Sequence, residues 1–259
     1  MSLLLSVPVG LAIGLLLGAL GGGGSILAVP ALVYLLGQSP HAATAGALVV
    51  IGLSAVTGML AHRAAAQVRL GQGAVFGLLG VAGTVAGSRA SASVDPDLLL
   101  AGFAALMLVA GAGMLRRGGG VLRRVAGRQR STVGRAAKVL LTATGVGLLT
   151  GFFGVGGGFV VVPALVLALG FDMATAVGTS LLVIAINAGS ALAVRLGSGA
   201  ALDWPLLAMF TAAAMAGSIA GQKAGTRMRP RTMSLSFALL CIALAVFIAA
   251  RSVPHLFAT

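Results

Sequence analysis

The sequence contains no glutamate, and its whole acidic complement is Asp95, Asp97, Asp172 and Asp203. Charged residues make up 8% of the 259-residue chain, against about a quarter in an average soluble domain. A soluble protein of this size covers its surface with charge, so that class is excluded. The apolar segments hold no paired carboxylates and no Ser/His/Asp set, so the chain does not read as an enzyme. The single cysteine, Cys241, lies in an apolar run. It allows no intramolecular disulfide and no cysteine metal cluster. His41 and His255 have no second ligand at useful spacing, so neither a metal nor a cofactor is expected. Aromatic residues are 5% of the chain. Without stacking platforms, the formal charge of +13 does not read as a nucleic-acid footprint. The N-terminus lacks a basic n-region, so a cleavable signal peptide is not expected.

What is present is apolar: 59% of residues are hydrophobic. Hydropathy predicts helical segments near residues 3–20, 25–37, 41–61, 73–90 and 98–115, then 137–153, 159–170, 174–194, 204–221 and 232–250. Such runs are membrane-spanning candidates. Segments 25–37 and 159–170 are too short to cross a hydrocarbon core of about 30 Å. Each follows a glycine cluster, which predicts broken or re-entrant helices.

The chain repeats itself. Gly18 through Pro30-Ala-Leu-Val33 and Gly37 matches Gly151 through Pro163-Ala-Leu-Val166 and Gly170 at a constant offset. After one extra residue, the segment Ala82–Gly87 matches Ala216–Gly221. Three regions result: a first transmembrane repeat at 1–115, a basic linker at 116–136 and a second repeat at 137–259. The stretch from Arg116 to Lys138 carries eight basic residues and no acid, so it is placed in the cytoplasm. The loop Ser88–Asp97 then falls outside, while its repeat partner Gln222–Arg231, rich in Lys and Arg, falls inside. Equivalent loops on opposite sides imply inverted repeats. The expected fold is an all-α polytopic membrane protein with two inverted repeats. Each has about five helical segments, including a glycine-broken short helix.

The clusters Gly21-Gly22-Gly23-Gly24-Ser25 and Gly154-Val155-Gly156-Gly157-Gly158 end one apolar run and open the next. Glycine lets the chain turn sharply. Unwound backbone at membrane depth is tolerated only under protein or beside a watery cavity. The amides that open the next helix carry partial positive charge and suit an anion. The competing role is close helix packing. Neither cluster has the Gly-Lys-Ser/Thr end of a nucleotide loop. Pro30 and Pro163 are read as supporting helix starts at the breaks, since proline costs little early in a helix.

The pattern Gly-x-x-Gly-x-Gly-Gly-x-x-x-x-x-Pro-x-Leu, present at Gly18–Leu32 and Gly151–Leu165, resembles the sulfite exporter TauE/SafE family of membrane permeases. Ala176-Val-Gly-Thr-Ser-Leu181 is similar to that family's Ala-x-x-Thr-Ser segment. The first half departs from it, with Gly46-Ala47 opposite Thr179-Ser180. The resemblance implies transport of sulfite, organosulfonates or related small anions.

Further candidate residues are hydroxyls and an amide. Thr179 and Ser180 precede Asn187 by two turns on one helix. Thr44 precedes Ser54, the repeat partner of Asn187, in a similar sense. Hydroxyls can donate to sulfite oxygens or bond back to their own helix. Asn187 serves as interhelical glue or as a site residue. The candidate substrate-binding set is therefore Gly22, Gly23, Gly24, Ser25, Thr44, Gly156, Gly157, Gly158, Thr179, Ser180 and Asn187. Asp172 reads as a helix-start residue. Arg89 and Arg195 fall at the outer mouth, and His62 aligns with Arg195. The expected protein is a multi-pass permease of the cytoplasmic (inner) membrane, carrying a small anion by alternating access. An anion channel and a non-transporting membrane assembly factor stay open as alternatives. So do the coupling ion, proton or sodium, and a homo-oligomer.

Overall fold

A computed structural model describes residues 2–91, 96–118, 132–153, 158–196 and 203–256. Its elements are α1 (Ser2–Leu20), α2 (Gly23–Pro30), α3 (Pro40–Ala64), α4 (Leu70–Ser91), α5 (Pro96–Gly118), α6 (Thr132–Phe153), α7 (Gly158–Pro163), α8 (Met173–Leu196), α9 (Trp204–Arg227) and α10 (Pro230–Leu256). No strand occurs among the described residues. Among the described residues, five stretches are long and apolar enough to cross a bilayer: Ala42–Ala64, Leu70–Gly87, Met173–Ala193, Trp204–Arg227 and Pro230–Ile248. Leu78, Val109, Leu141 and Phe247 stand exposed on the helix exteriors, as apolar side chains facing lipid do. Most of the linker expected at 116–136 lies outside the described residues.

Helix starts follow local chemistry. Ser39 accepts from Ala42 N and Pro40 fills the first turn of α3. Asp172 accepts from Thr175 N at 3.0 Å ahead of α8, and Asp203 accepts from Leu206 N at 3.3 Å ahead of α9. Each satisfies an amide that the helix itself leaves unpaired.

The prolines differ from expectation. Pro30 and Pro163 are the last residues of α2 and α7, not early ones. A π-helical stretch follows each directly, Ala31–Leu35 and Ala164–Ala168. Proline removes one backbone donor and crowds the preceding turn, and the helix widens where that ladder is interrupted. Gly37 (φ +67°) and Gly170 (φ +72°) then stop the two widened helices. The turns close with Gln38 N on Leu32 O and Phe171 N on Leu165 O, both at 3.0 Å.

The two halves pack in matched pairs. Helix α1 lies on α9 as α6 lies on α4, and α3 lies on α9 as α8 lies on α4. The self-matched pairs are α3 with α8, α5 with α10, and α2 with α7. Glycines set the close crossings. A Cβ on Gly14 would strike the Ala214 backbone, and one on Gly18 the Ser218 backbone. Gly147 meets Gly80 and Gly151 meets Thr84 in the same way. Small residues thus let backbones approach, the usual device between membrane helices. The order of contacts gives direction. Along α1 and α9 the contacts advance together, so these helices run parallel, and α4 with α6 does the same. Between α3 and α8, Gly52 meets Ala188, Gly58 meets Leu181 and Gly178 meets Gln67, so they run antiparallel. Gly111 against Ala238 and Ser234 bonded to Met114 O make α5 and α10 antiparallel too.

Candidate functional site

The site is built where the two glycine breaks meet. Helix α1 stops at Leu20. Gly21 takes φ +73°, a left-handed conformation that only glycine adopts without strain. Gly22 is the N-cap of α2 and has no side chain to cap with. Helix α2 then folds back along α1, with Gly24 against Ile13 O and Leu17 N. The first short segment therefore returns beside the helix that precedes it.

Gly22 lies directly on Gly158, at the start of α7. A Cβ on Gly22 would collide with Gly158 O. A Cβ on Gly158 would come within 2.7 Å of Ser25 Oγ and 2.9 Å of Gly22 Cα. The N-terminal ends of α2 and α7 thus touch across the interface between halves. Gly22, Gly23, Gly24, Ser25 and Gly158 are all buried there. No guest fits between Gly22 and Gly158 themselves in this conformation. Gly156 and Gly157 lie outside the described residues.

Helix α8 forms one wall. Gly21 packs on Ser180 Oγ, Val162 and Val177. Ser180 donates to Val177 O at 2.8 Å, and Ser25 donates to Gly22 O at 2.7 Å. Both hydroxyl protons are therefore held by nearby backbone, as local back-bonding allows. Thr179 is fully buried and accepts from Arg69 N at 3.1 Å, 110 residues away in sequence. Thr44 is half-buried on α3. Asn187 is 2% exposed, and neither amide atom has a hydrogen-bond partner among the described residues. It lies beside Gly80 of α4, whose missing side chain leaves it space. Its repeat partner Ser54 is likewise buried with an unpartnered hydroxyl.

Two features were not singled out from sequence, and a third was read differently. Thr211 of α9 carries another buried, unpartnered hydroxyl. Arg69 places its guanidinium 5.3 Å from the Phe171 ring centroid, a cation–π distance. His62, read from sequence as a mouth charge, is 1% exposed. Its Nε2 lies 2.8 Å from Gly18 O, and its Nδ1 lies 2.8 Å from Gln67 Oε1. Gln67 is set by the turn that ends α3. Ala66 takes φ +56°, while Ala66 N bonds Arg63 O and Gln67 N bonds His62 O. That is a left-handed helix stop normally made with glycine. Holding alanine there costs about 1 kcal/mol.

The described residues include no cluster of metal-ligating side chains. What the site offers is neutral: backbone amides at two helix starts, hydroxyls and one carboxamide. That set can recognise an oxyanion by hydrogen bonds.

A family model for the sulfite exporter TauE/SafE matches residues 6–248. Two curated proteins named "Probable membrane transporter protein", from Xylella fastidiosa strains 9a5c and Temecula1, are each 32% identical over 254 residues. Each match spans 97% of this chain and 96% of the relative. No solved structure gives a significant match. With nearly its whole length matched by that family model, the chain belongs to the sulfite exporter TauE/SafE family and is a membrane transporter protein.

Proposed function

We propose that the protein is a secondary transporter that moves a small oxyanion, sulfite or an organosulfonate, across the cytoplasmic membrane. The observation that carries this reading is the contact of Gly22 with Gly158, backed by Ser25. Two helix starts converge there, and each presents amides with partial positive charge. Paired amides and buried hydroxyls suit an anion without any buried Lys or Arg. The oxyanion binds against Gly22, Gly23, Gly24, Ser25, Gly156, Gly157 and Gly158. Thr179, Ser180 and Asn187 complete the wall from α8, and Thr44 serves from α3.

The two halves, 1–115 and 137–259, are inverted repeats in this reading. The antiparallel packing of α3 on α8 and of α5 on α10 supports it. Alternating access then moves one half against the other around the shared site. With Gly22 packed on Gly158, the described conformation is shut at that point. Parting the two breaks frees the Ser25 and Ser180 hydroxyls to donate to substrate oxygens.

The test is purified protein in liposomes loaded with sulfite, methanesulfonate or a small carboxylate. Saturable exchange of a sulfur oxyanion is the expected result. Non-saturating flux points to a channel. No flux of any of these anions, in either direction, rejects the reading.

A further inference from the structure

Among the described residues, His62 and Cys241 are the only buried ionisable side chains. Cys241 sits on α10 within the apolar core. His62 sits where three parts of the site join. Its ring reaches Gly18 O near the end of α1, three residues before the left-handed Gly21. It holds the Gln67 side chain on the turn after α3. Its Cβ packs beside Gly178, whose neighbours Val177 and Ser180 touch Gly21. The imidazole is therefore about one helical turn from the first glycine break.

The bonding pattern accepts two protonation states. Gly18 O can only accept, so Nε2 carries a proton in both. Gln67 can turn its amide oxygen or its amide nitrogen toward Nδ1. The oxygen suits a charged ring, in which both nitrogens donate. The nitrogen suits a neutral ring, in which Nδ1 accepts. The structure has the oxygen facing the ring at 2.8 Å. The charged groups around this end are Arg63 on α3, Arg69 on the following turn, Asp172 before α8, and Lys223 and Arg227 on α9. All are exposed. Helices α1 and α2 contribute no ionisable residue. Nothing acidic is therefore buried with the ring, and a charged imidazole at this depth lacks an internal counter-ion.

We infer that His62 is a proton-binding site coupled to the oxyanion, each stabilising the other at the glycine break. The inference rests on the transport reading above. The anion supplies the counter-charge that the chain omits, and the imidazolium supplies the positive charge that the amides lack. Proton and anion then travel together, with one proton taken up by Nδ1 on the loading side and released on the other. Binding of either favours the other by the same factor.

The full chain in liposomes tests this with methanesulfonate, which keeps one negative charge across the pH range, unlike sulfite. Its half-saturating concentration falls roughly tenfold as the pH is lowered from about 8 to about 6. An inward proton gradient accelerates uptake, and a luminal dye reports acidification that tracks it. His62→Gln shows neither acceleration by the proton gradient nor acidification. Gln67→Glu places a carboxylate beside the ring. Its pH profile departs from that of the wild type, a change that a purely packing role for His62 does not produce. Exchange that is present but pH-blind in the wild type overturns this inference alone, as does an unmoved profile in Gln67→Glu. Exchange that is absent overturns the transport reading and this one with it.

Discussion

Replacing Gly22 by alanine perturbs a single contact. Gly22 has φ −73° and ψ −13°, a conformation alanine adopts freely, so the backbone adds no penalty. The new methyl would strike Gly158 O, Gly158 C and Phe159 N. All three are backbone atoms and none can rotate away. Forcing a methyl into packed surroundings costs about 1–3 kcal/mol. That strain exists only while the breaks touch, so it acts on the conformational equilibrium. A bias of this size shifts two states by about 5- to 150-fold. Gly71→Ala is the control, since nothing lies within 4 Å of its Cβ position and its φ is not positive. Sulfite exchange and thermal melting in detergent check the outcome. Gly22→Ala lowers the melting temperature and changes exchange by at least several-fold, while Gly71→Ala matches wild type. Wild-type melting and exchange in Gly22→Ala refute the contact between breaks.

Asn187→Leu removes a buried amide with no partner, which relieves about 1–3 kcal/mol of desolvation. The melting temperature rises and sulfite exchange falls, and unchanged exchange removes Asn187 from the site. Thr179→Val takes the acceptor from Arg69 N, which costs about 0.5–1.5 kcal/mol. Thr179→Ser restores the melting temperature if that hydrogen bond is the cause. Ala66→Gly relaxes the left-handed helix stop and stabilises by about 1 kcal/mol, read as a higher melting temperature. Gly14→Val pushes a branched side chain into the Ala214 backbone, so the variant yields little monodisperse protein on size exclusion.

Ten helical segments were legible because apolar runs in a chain with so little charge have few other uses. The helix ends at Leu20 and Phe153 were legible too, since glycine clusters interrupt those runs in matching places. Their meeting joins matching positions of the sequence repeat. Pro30 and Pro163 were misplaced within their helices. The helix restarts at Gly23, a full two turns before Pro30, and sequence spacing alone did not reveal the widened turn after it. The burial of His62 was hidden for a different reason. Beside Arg63 at the end of an apolar run, a histidine reads as a solvated charge. Only the approach of Gly18, 44 residues earlier in the chain, turns it inward. Thr179 is similar, since its partner amide at Arg69 comes from the other half of the molecule.

Cross-linking the two breaks tests the shared site most directly. Ser25→Cys and Gly158→Cys, in a Cys241→Ala background, place two thiols where Ser25 Oγ and the Gly158 Cβ position are 2.7 Å apart. Mild oxidation should join them and lower sulfite exchange below that of the same variant kept reduced. A pair that never cross-links, or a cross-linked protein that exchanges sulfite as fast as its reduced form, contradicts a transport site opened by parting these turns.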